Sequence, residues 1–437
     1  MTAAQTGQEI WVLCDILFTP YQRHSNWLLH IREGKICRML PASDSDGVRP
    51  KQLIHLPDAI VAPGFIDLHV HGASGHDLMD GTADALRATS ATLAQHGTTA
   101  FLATTMSASD ACLEVALRGL ATHSRLPADG ARPIGIHMEG PYLNSLRSGA
   151  QDPSCLKEAD VGSFLHYVEL SENTIRRVTL APEMDPDLKL TREAAALGIQ
   201  VSLGHSDATE EEARAAVDAG ATQVTHTYNG MRPFHQREPG ILGVAFTDDR
   251  VYTEVIADGI HVHPTALKLL LRVKGADRVP LVTDGTSAVG MADGRYPLGG
   301  KLIVVKHGEC RDSEGHLAGS TLTLDRAVRN LVDWLDVPLH EALIAASATP
   351  ARCMRIGDKG VLSPGADADL VFLGHDLDVL QTMVAGRIVY VRLPTSDLQP
   401  DLSLIRPADR ERAAAIQDQG MESQHLRLRI DQRPLQP

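Results

Sequence analysis

The stretch Pro63-Gly64-Phe65-Ile66-Asp67-Leu68-His69-Val70-His71-Gly72 decides how the rest of the chain is read. Phe65 to His69 reads as a buried β-strand, and His69 and His71 follow each other at spacing two. On a strand, residues i and i+2 point to the same face, so both imidazoles project together. Neutral imidazole is the commonest protein metal ligand. A polar strand end with two incidental histidines would give the same ten letters, so the remaining chain has to choose between the readings.

Working outward, the run Ile60–His71 is the first of eight strand-like runs. The others are Thr98–Thr105, Pro133–Glu139, Arg177–Ala181, Ile199–His205, Ala221–Tyr228, Val251–Asp258 and Val279–Asp284. Helix-like segments separate most of them: Ala83–Gln95, Asp110–His123, Lys189–Leu197, Thr209–Ala219 and Pro264–Lys274, with Leu324–Leu335 and Leu339–Ala348 after the last strand. The helix opening Thr209-Glu210-Glu211-Glu212 carries a capping box and closes at Gly220. Near-continuous apolar strands alternating with helices mean a parallel sheet covered on both faces. Eight repeats, with no glycine-rich dinucleotide fingerprint after the first, predict an α/β fold: a closed (β/α)₈ TIM-like barrel over residues 61–358. Short alternating runs in residues 1–60 and 359–393 predict a small β-sandwich domain built from the N- and C-terminal segments. Residues 394–437 read as a mobile tail, with Asp409–Gln417 as a short helix.

Composition narrows the function. Aromatic residues make up 4% of 437, and the formal charge is −14. Both argue against a nucleic-acid surface, and the charge also argues against an anionic membrane surface. The six cysteines are scattered without a CxxC pair, the first cation is Arg23, and no apolar run reaches membrane-span length. A cytoplasmic enzyme is expected.

In (β/α)₈ enzymes, catalysis sits at the C-terminal ends of the strands. The first strand here ends in His69 and His71, the third in His137-Met138-Glu139, the fifth in Gly204-His205 and the sixth in Thr225-His226. The seventh ends in Asp258-Gly259-Ile260-His261 and the eighth in Thr283-Asp284. One buried histidine is ordinary; polar residues at the same end of six strands predict a convergent metal site. Mixed nitrogen and carboxylate ligands suit Zn²⁺ or a similar divalent ion. Glu139, His205 and His226 would leave a position open for water. Asp284 is then the natural general base.

These motifs resemble the amidohydrolase superfamily and, within it, the N-acetylglucosamine-6-phosphate deacetylases. The likeness spans roughly residues 55–375 and rests on PGFIDLHVHG, HMEGPYLN, LAPE, SLGHSDAT, THTYNGMRPFHQREPG, VIADGIHVHP, LVTDG and LAGSTLTLDRAV in combination. THTYNGM followed by REPG, and DGIHVHP, point to the deacetylase branch. The resemblance implies Glu139, His205 and His226 as the main metal ligands and Asp284 as catalytic acid/base. It implies Asn229 and Gly230 against the sugar, Arg237 and His261 against the phosphate, and Leu317, Ala318 and Gly319 as a closing loop. His69 and His71 would form half of a second metal site, bridged through Glu139 or Asp284. It further implies a homodimer that can share the phosphate clamp. Many relatives carry a histidine where the loop here reads Gly149-Ala150-Gln151-Asp152-Pro153. Ala150 and Gln151 are expected at the substrate, with the Gln151 amide donating to the acetamide oxygen or a sugar hydroxyl.

The expected reaction is hydrolysis of the acetamide of a phosphorylated amino sugar. A deacetylase acting on the galactosamine epimer is equally compatible with the sequence. Hydantoinase- and dihydroorotase-type relatives bridge two metals with a carbamylated lysine at the fourth strand. This fourth strand ends Ala181-Pro182-Glu183, which argues against them. A catalytically dead relative acting as a scaffold would have lost ligands that this chain keeps.

Overall fold

The computed structural model describes residues 9–45, 50–126 and 129–393. The expected tail 394–437, with its helix at Asp409–Gln417, lies outside the described residues. Eight parallel strands form the centre: β1 Phe65–Val70, β2 Thr98–Thr105, β3 Arg132–Glu139, β4 Ile175–Leu180, β5 Gln200–Leu203, β6 Ala221–Val224, β7 Tyr252–Ile256 broken at Glu254, and β8 Leu281–Val282. β1 to β7 pair in sequence, and β7 continues to β8 through Val255 and Leu281. The ring closes where Val70 bridges Gly285 and the Asp284 N–H donates to the His69 carbonyl at 2.9 Å.

Each strand is followed by a helix: α1 Ala83–Gln95, α2 Asp110–His123, α3 Val161–Leu170, α4 Lys189–Ala196, α5 Glu210–Ala219, α6 Gly240–Thr247, α7 Pro264–Lys274 and α8 Leu324–Leu335. Local chemistry accounts for most of their starts. Thr82, Ser109 and Thr209 each cap with a side-chain oxygen, and the Thr209–Glu212 box is reciprocal. The sequence reading lacks α3 and α6. In α6, GILGVAFT is apolar on every face and its first six residues are buried, so no 3.6-residue periodicity marks it. The hairpin Gly294–Leu298, Lys301–Lys306 and Glu309–Arg311, between β8 and α8, is likewise absent from the sequence reading.

The N- and C-terminal segments meet where Ile60–Pro63 pairs antiparallel with Leu370–Leu373. The expected sandwich is, in hydrogen bonding, one continuous eight-stranded sheet. Its core unites Val12, Leu29, Ile31, Val61, Leu370, Phe372 and Met383. One residue, Gly64, separates Pro63 in this sheet from Phe65 in the barrel. A Cβ on Gly64 would lie 2.1 Å from Thr99 Cγ2, so the crossing requires glycine.

Candidate metal centre and active site

The strands stop earlier than the sequence reading has them. β5 ends at Leu203 and β6 at Val224. The polar residues beyond leave the ladder, and His205, His226 and Asp284 adopt left-handed φ of 48°, 31° and 50°. Such conformations cost roughly 1–3 kcal/mol each and concentrate at functional sites. Here they turn three side chains inward over the barrel mouth.

Two groups of three form there: Glu139, His205 and His226, and His69, His71 and Asp284. All six residues are buried. The hydrogen-bond partners show what the first group offers. His205 Nδ1 faces the Arg147 carbonyl at 2.9 Å, and His226 Nδ1 faces the Asn229 carbonyl at 3.2 Å. A carbonyl only accepts, so each Nδ1 carries a hydrogen, and the neutral form of each ring, the form that binds a metal, turns an Nε2 lone pair inward. Those Nε2 atoms stand 3.0 Å apart and lie 3.3 Å and 3.2 Å from Glu139 Oε1. In that neutral form three acceptors converge on one point. Ligand atoms about 2.0–2.1 Å from one tetrahedral centre stand roughly 3.3–3.4 Å apart, so the spacing suits a divalent cation.

The second group shares this logic in part. His69 Nδ1 donates to Glu254 Oε1 at 2.7 Å, which leaves His69 Nε2 facing Glu139 at 3.4 Å and Asp284 at 3.5 Å. His71 Nε2 lies 3.2 Å from Asp284 Oδ1 and 3.4 Å from Glu139 Oε2, while its buried Nδ1 has no partner. Burial pulls the His69, His71 and His205 pKa values down, but Glu139 and Asp284 outweigh it and all three end up raised. Burial likewise raises Asp284, yet the His69 and His71 charges overcome it and hold the carboxyl to about 2. The pocket attracts positive charge, for which protons and a metal ion compete.

Below lies a pair that the sequence reading misses. Glu254, in the break of β7, takes the His69 Nδ1 proton and the His226 backbone N–H (3.1 Å) on the same oxygen. Its other oxygen meets Arg177 Nη1 at 2.5 Å. Arg177, fully buried in β4, also donates to Ser202 Oγ at 3.0 Å and to the Leu68 carbonyl at 3.3 Å. Burial raises the Glu254 carboxyl, and Arg177 with His69 brings it down to about 2. The available signal was a charged residue in each of two strand runs, Arg177 opening Arg177–Ala181 and Glu254 within Val251–Asp258.

A cavity of about 260 Å³ opens above the metal groups. His71, Glu139, His205, His226 and Asp284 line its floor; Ala150, Gln151, Asn229, Gly230, His261, Leu317 and Gly319 line its walls. Met106, Gly149, Leu298 and His316 join them without having been singled out in the sequence. Ala318 sits behind the lining, packed with Leu298, Ile303 and Cys310 of the hairpin. Gly230 has φ of 58°, and a Cβ there would come within 3.1 Å of His205 Nδ1. His261 Nδ1 bonds Asp258 Oδ2 at 2.7 Å. Burial lowers the His261 pKa, but Asp258 more than offsets this and raises it. Arg237 lies on the exposed loop 233–238 and is not among the lining residues.

The model of the Amidohydrolase family matches residues 60–389. This chain belongs to the amidohydrolase family. It is 41% identical over 346 residues to an N-acetylglucosamine-6-phosphate deacetylase of Vibrio furnissii, covering 79% of this chain and 86% of that one. It is 38% identical over 361 residues to an N-acetylgalactosamine-6-phosphate deacetylase of Escherichia coli O157:H7, covering 82% and 94%. Among solved structures it resembles a mutant N-acetyl-D-glucosamine-6-phosphate deacetylase from Mycobacterium smegmatis in complex with N-acetyl-D-glucosamine 6-phosphate. That likeness has a TM-score of 0.82 at 34% identity, over 88% of this chain and 100% of that one. Amidohydrolases depend on metal, and the two ligand groups at the barrel mouth suit that chemistry.

Proposed function

We infer that this protein hydrolyses the acetamide of N-acetyl-D-glucosamine 6-phosphate, giving D-glucosamine 6-phosphate and acetate. The observation that carries the reading is the convergence of Glu139 Oε1, His205 Nε2 and His226 Nε2 opposite a buried, ionised Asp284 on one cavity floor. Zn²⁺ fits this donor set, with His69, His71 and Asp284 as a second half-site. Bound there, the ion supplies a Lewis acid for the acetamide carbonyl and lowers the pKa of water.

The chain's own residues do the rest. Asp284, held to about 2, is a carboxylate at neutral pH and accepts a proton from the attacking water. It then delivers that proton to the departing amine nitrogen, so water and amide become acetate and amine. The cavity volume of about 260 Å³ sits just under the roughly 300 Å³ at which ligand pockets begin, room for one monosaccharide. Asn229 and Gly230 supply the wall against the sugar, and Leu317 to Gly319 supply the cover. Asp258 accepts from His261 Nδ1–H and favours the protonated imidazolium, whose Nε2–H then donates to an anion. Arg237 completes the phosphate clamp from a second copy in a homodimer. Guanidinium is the better bidentate partner for phosphate in a chain carrying −14. The six cysteines of the sequence are all free thiols, which supports a cytoplasmic location.

The relative acting on the galactosamine epimer keeps that substrate as the second reading. An acetate-release assay on protein of measured zinc content, with both epimers and with and without the 6-phosphate, tests the whole. Greatest kcat/KM is expected for the phosphorylated gluco epimer, with Arg237→Ala mainly raising KM. Equal turnover of the unphosphorylated sugar would overturn the phosphate reading.

A further inference from the structure

We propose that Gln151 is a positioning residue for the metal centre: its amide clamps Glu139 so that Oε1 faces His205 and His226. This goes beyond the proposed deacetylation and rests on its metal site.

Two hydrogen bonds carry the inference. The backbone N–H of Ser107 donates to Gln151 Oε1 at 2.8 Å, and Gln151 Nε2 lies 2.7 Å from Glu139 Oε2. Amide oxygen and nitrogen are interchangeable in shape, but here the partners are not. A backbone N–H only donates, so the atom facing Ser107 is the oxygen. The atom facing Glu139 is therefore the nitrogen, and it donates to a carboxylate. A charge-assisted bond of this length is among the stronger hydrogen bonds a neutral side chain makes.

The consequence falls on Glu139. Its carboxylate has two oxygens, and the ligand group needs one of them, Oε1, at 3.2–3.3 Å from both imidazole nitrogens. His71 Nε2 also approaches Oε2, at the longer distance of 3.4 Å. The Gln151 bond, at 2.7 Å, is the shorter of these two contacts to Oε2 and restrains rotation of the carboxylate about its bond to the chain. The clamp is itself held firmly, since Gln151 is 2% exposed. Its N–H is tied to the Ser148 carbonyl at 3.0 Å, and its own carbonyl accepts from Lys301 Nζ at 3.4 Å. Gly149, at φ of 55°, makes the turn that brings the residue inward. The amide commits its acceptor to Ser107 and a proton to Glu139, which is a different use from the substrate contact expected of it.

The test separates the two uses without relying on turnover. Apoprotein is titrated with Zn²⁺ against a chromophoric chelator, and KM and kcat are then measured on fully loaded enzyme. Gln151→Ala is expected to weaken Zn²⁺ affinity about 10- to 100-fold, the usual effect of removing a group that orients a ligand, with KM of the loaded enzyme within about twofold. Gln151→Glu, nearly isosteric, cannot donate to Glu139 and is expected to lose at least as much affinity. Gln151→His places one acceptor and one donor at a similar span and is expected to hold affinity within about threefold. Unchanged Zn²⁺ affinity in both Gln151→Ala and Gln151→Glu, with KM raised instead, would overturn the proposal and return Gln151 to the substrate. If the Ala variant fails to fold, the Glu and His pair decides alone. Loss of affinity in a protein inactive on every acetamide would leave the clamp standing and remove the deacetylase reading.

Discussion

Replacing Asp284 by asparagine changes almost nothing in shape and removes the carboxylate to which the proposed mechanism gives the proton transfer. The carboxylate is buried, its backbone is locked by the His69 carbonyl at 2.9 Å and the Ser320 N–H at 2.8 Å, and Oδ1 stands 3.2 Å from His71 Nε2. An asparagine fits the same space and keeps an oxygen toward His71, so the fold and the Glu139, His205 and His226 group should persist. What is lost is a base ionised at every working pH. General acid–base catalysis contributes about 10²- to 10⁴-fold, and at about 1.36 kcal/mol per decade this is about 3–5 kcal/mol of barrier. We expect kcat to fall by that factor, KM to move by less than about threefold, and at least one equivalent of zinc to remain. Acetate release, with elemental analysis on the same sample, reads all three. Turnover within about fivefold of the unmodified enzyme, with zinc retained, would show that the proton travels by another route and refute the assignment.

Arg177→Met alone should destabilise the protein by about 3–5 kcal/mol, because it leaves the Glu254 carboxylate buried without its cation. Urea unfolding at fixed zinc concentration measures this, and a cost below about 1 kcal/mol would mean that Glu254 is held by His69 and the His226 N–H alone. Glu254→Gln should weaken zinc binding as well as stability, since one of its oxygens serves residues of both ligand groups. Burial pushes the Cys310 and Cys353 thiols up to about 12, so their thiolates emerge only as the pH nears that value. Iodoacetamide at pH 8, followed by peptide mass spectrometry, should therefore label exposed Cys112 and spare Cys310 and Cys353 in the native protein. Labelling of the buried pair at the rate of Cys112 would contradict their packing.

The sequence alone determined a good deal here, because much of it is locally encoded. Helix spans such as Ala83–Gln95 and Asp110–His123 follow from a capping oxygen and a 3.6-residue apolar stripe, both legible over a few turns. The polar ends of the barrel strands are legible for a similar reason. In a parallel barrel every strand ends on the same side, so strand order converts a one-dimensional list into a ring of side chains. Glu139, His205, His226 and Asp284 could be gathered from that rule before any distance was known.

Tertiary structure alone decided what those side chains do to one another. Glu254 and His69 are 185 residues apart, and no periodicity relates them; their 2.7 Å contact depends on ring closure, which sets β8 between β7 and β1. The proton on each Nδ1, and so each lone pair turned inward, depends on carbonyls of Arg147 and Asn229 presented by loops. Helix α6 hides its pattern because it is apolar all round, and the hairpin at 294–311 finds cover for its apolar face in residues from elsewhere in the chain, Met106, Ala288 and Ala318. Gln151 shows the division most clearly. Its place in a loop beside the substrate could be read from the chain, but the direction of its amide was set by one backbone N–H at Ser107.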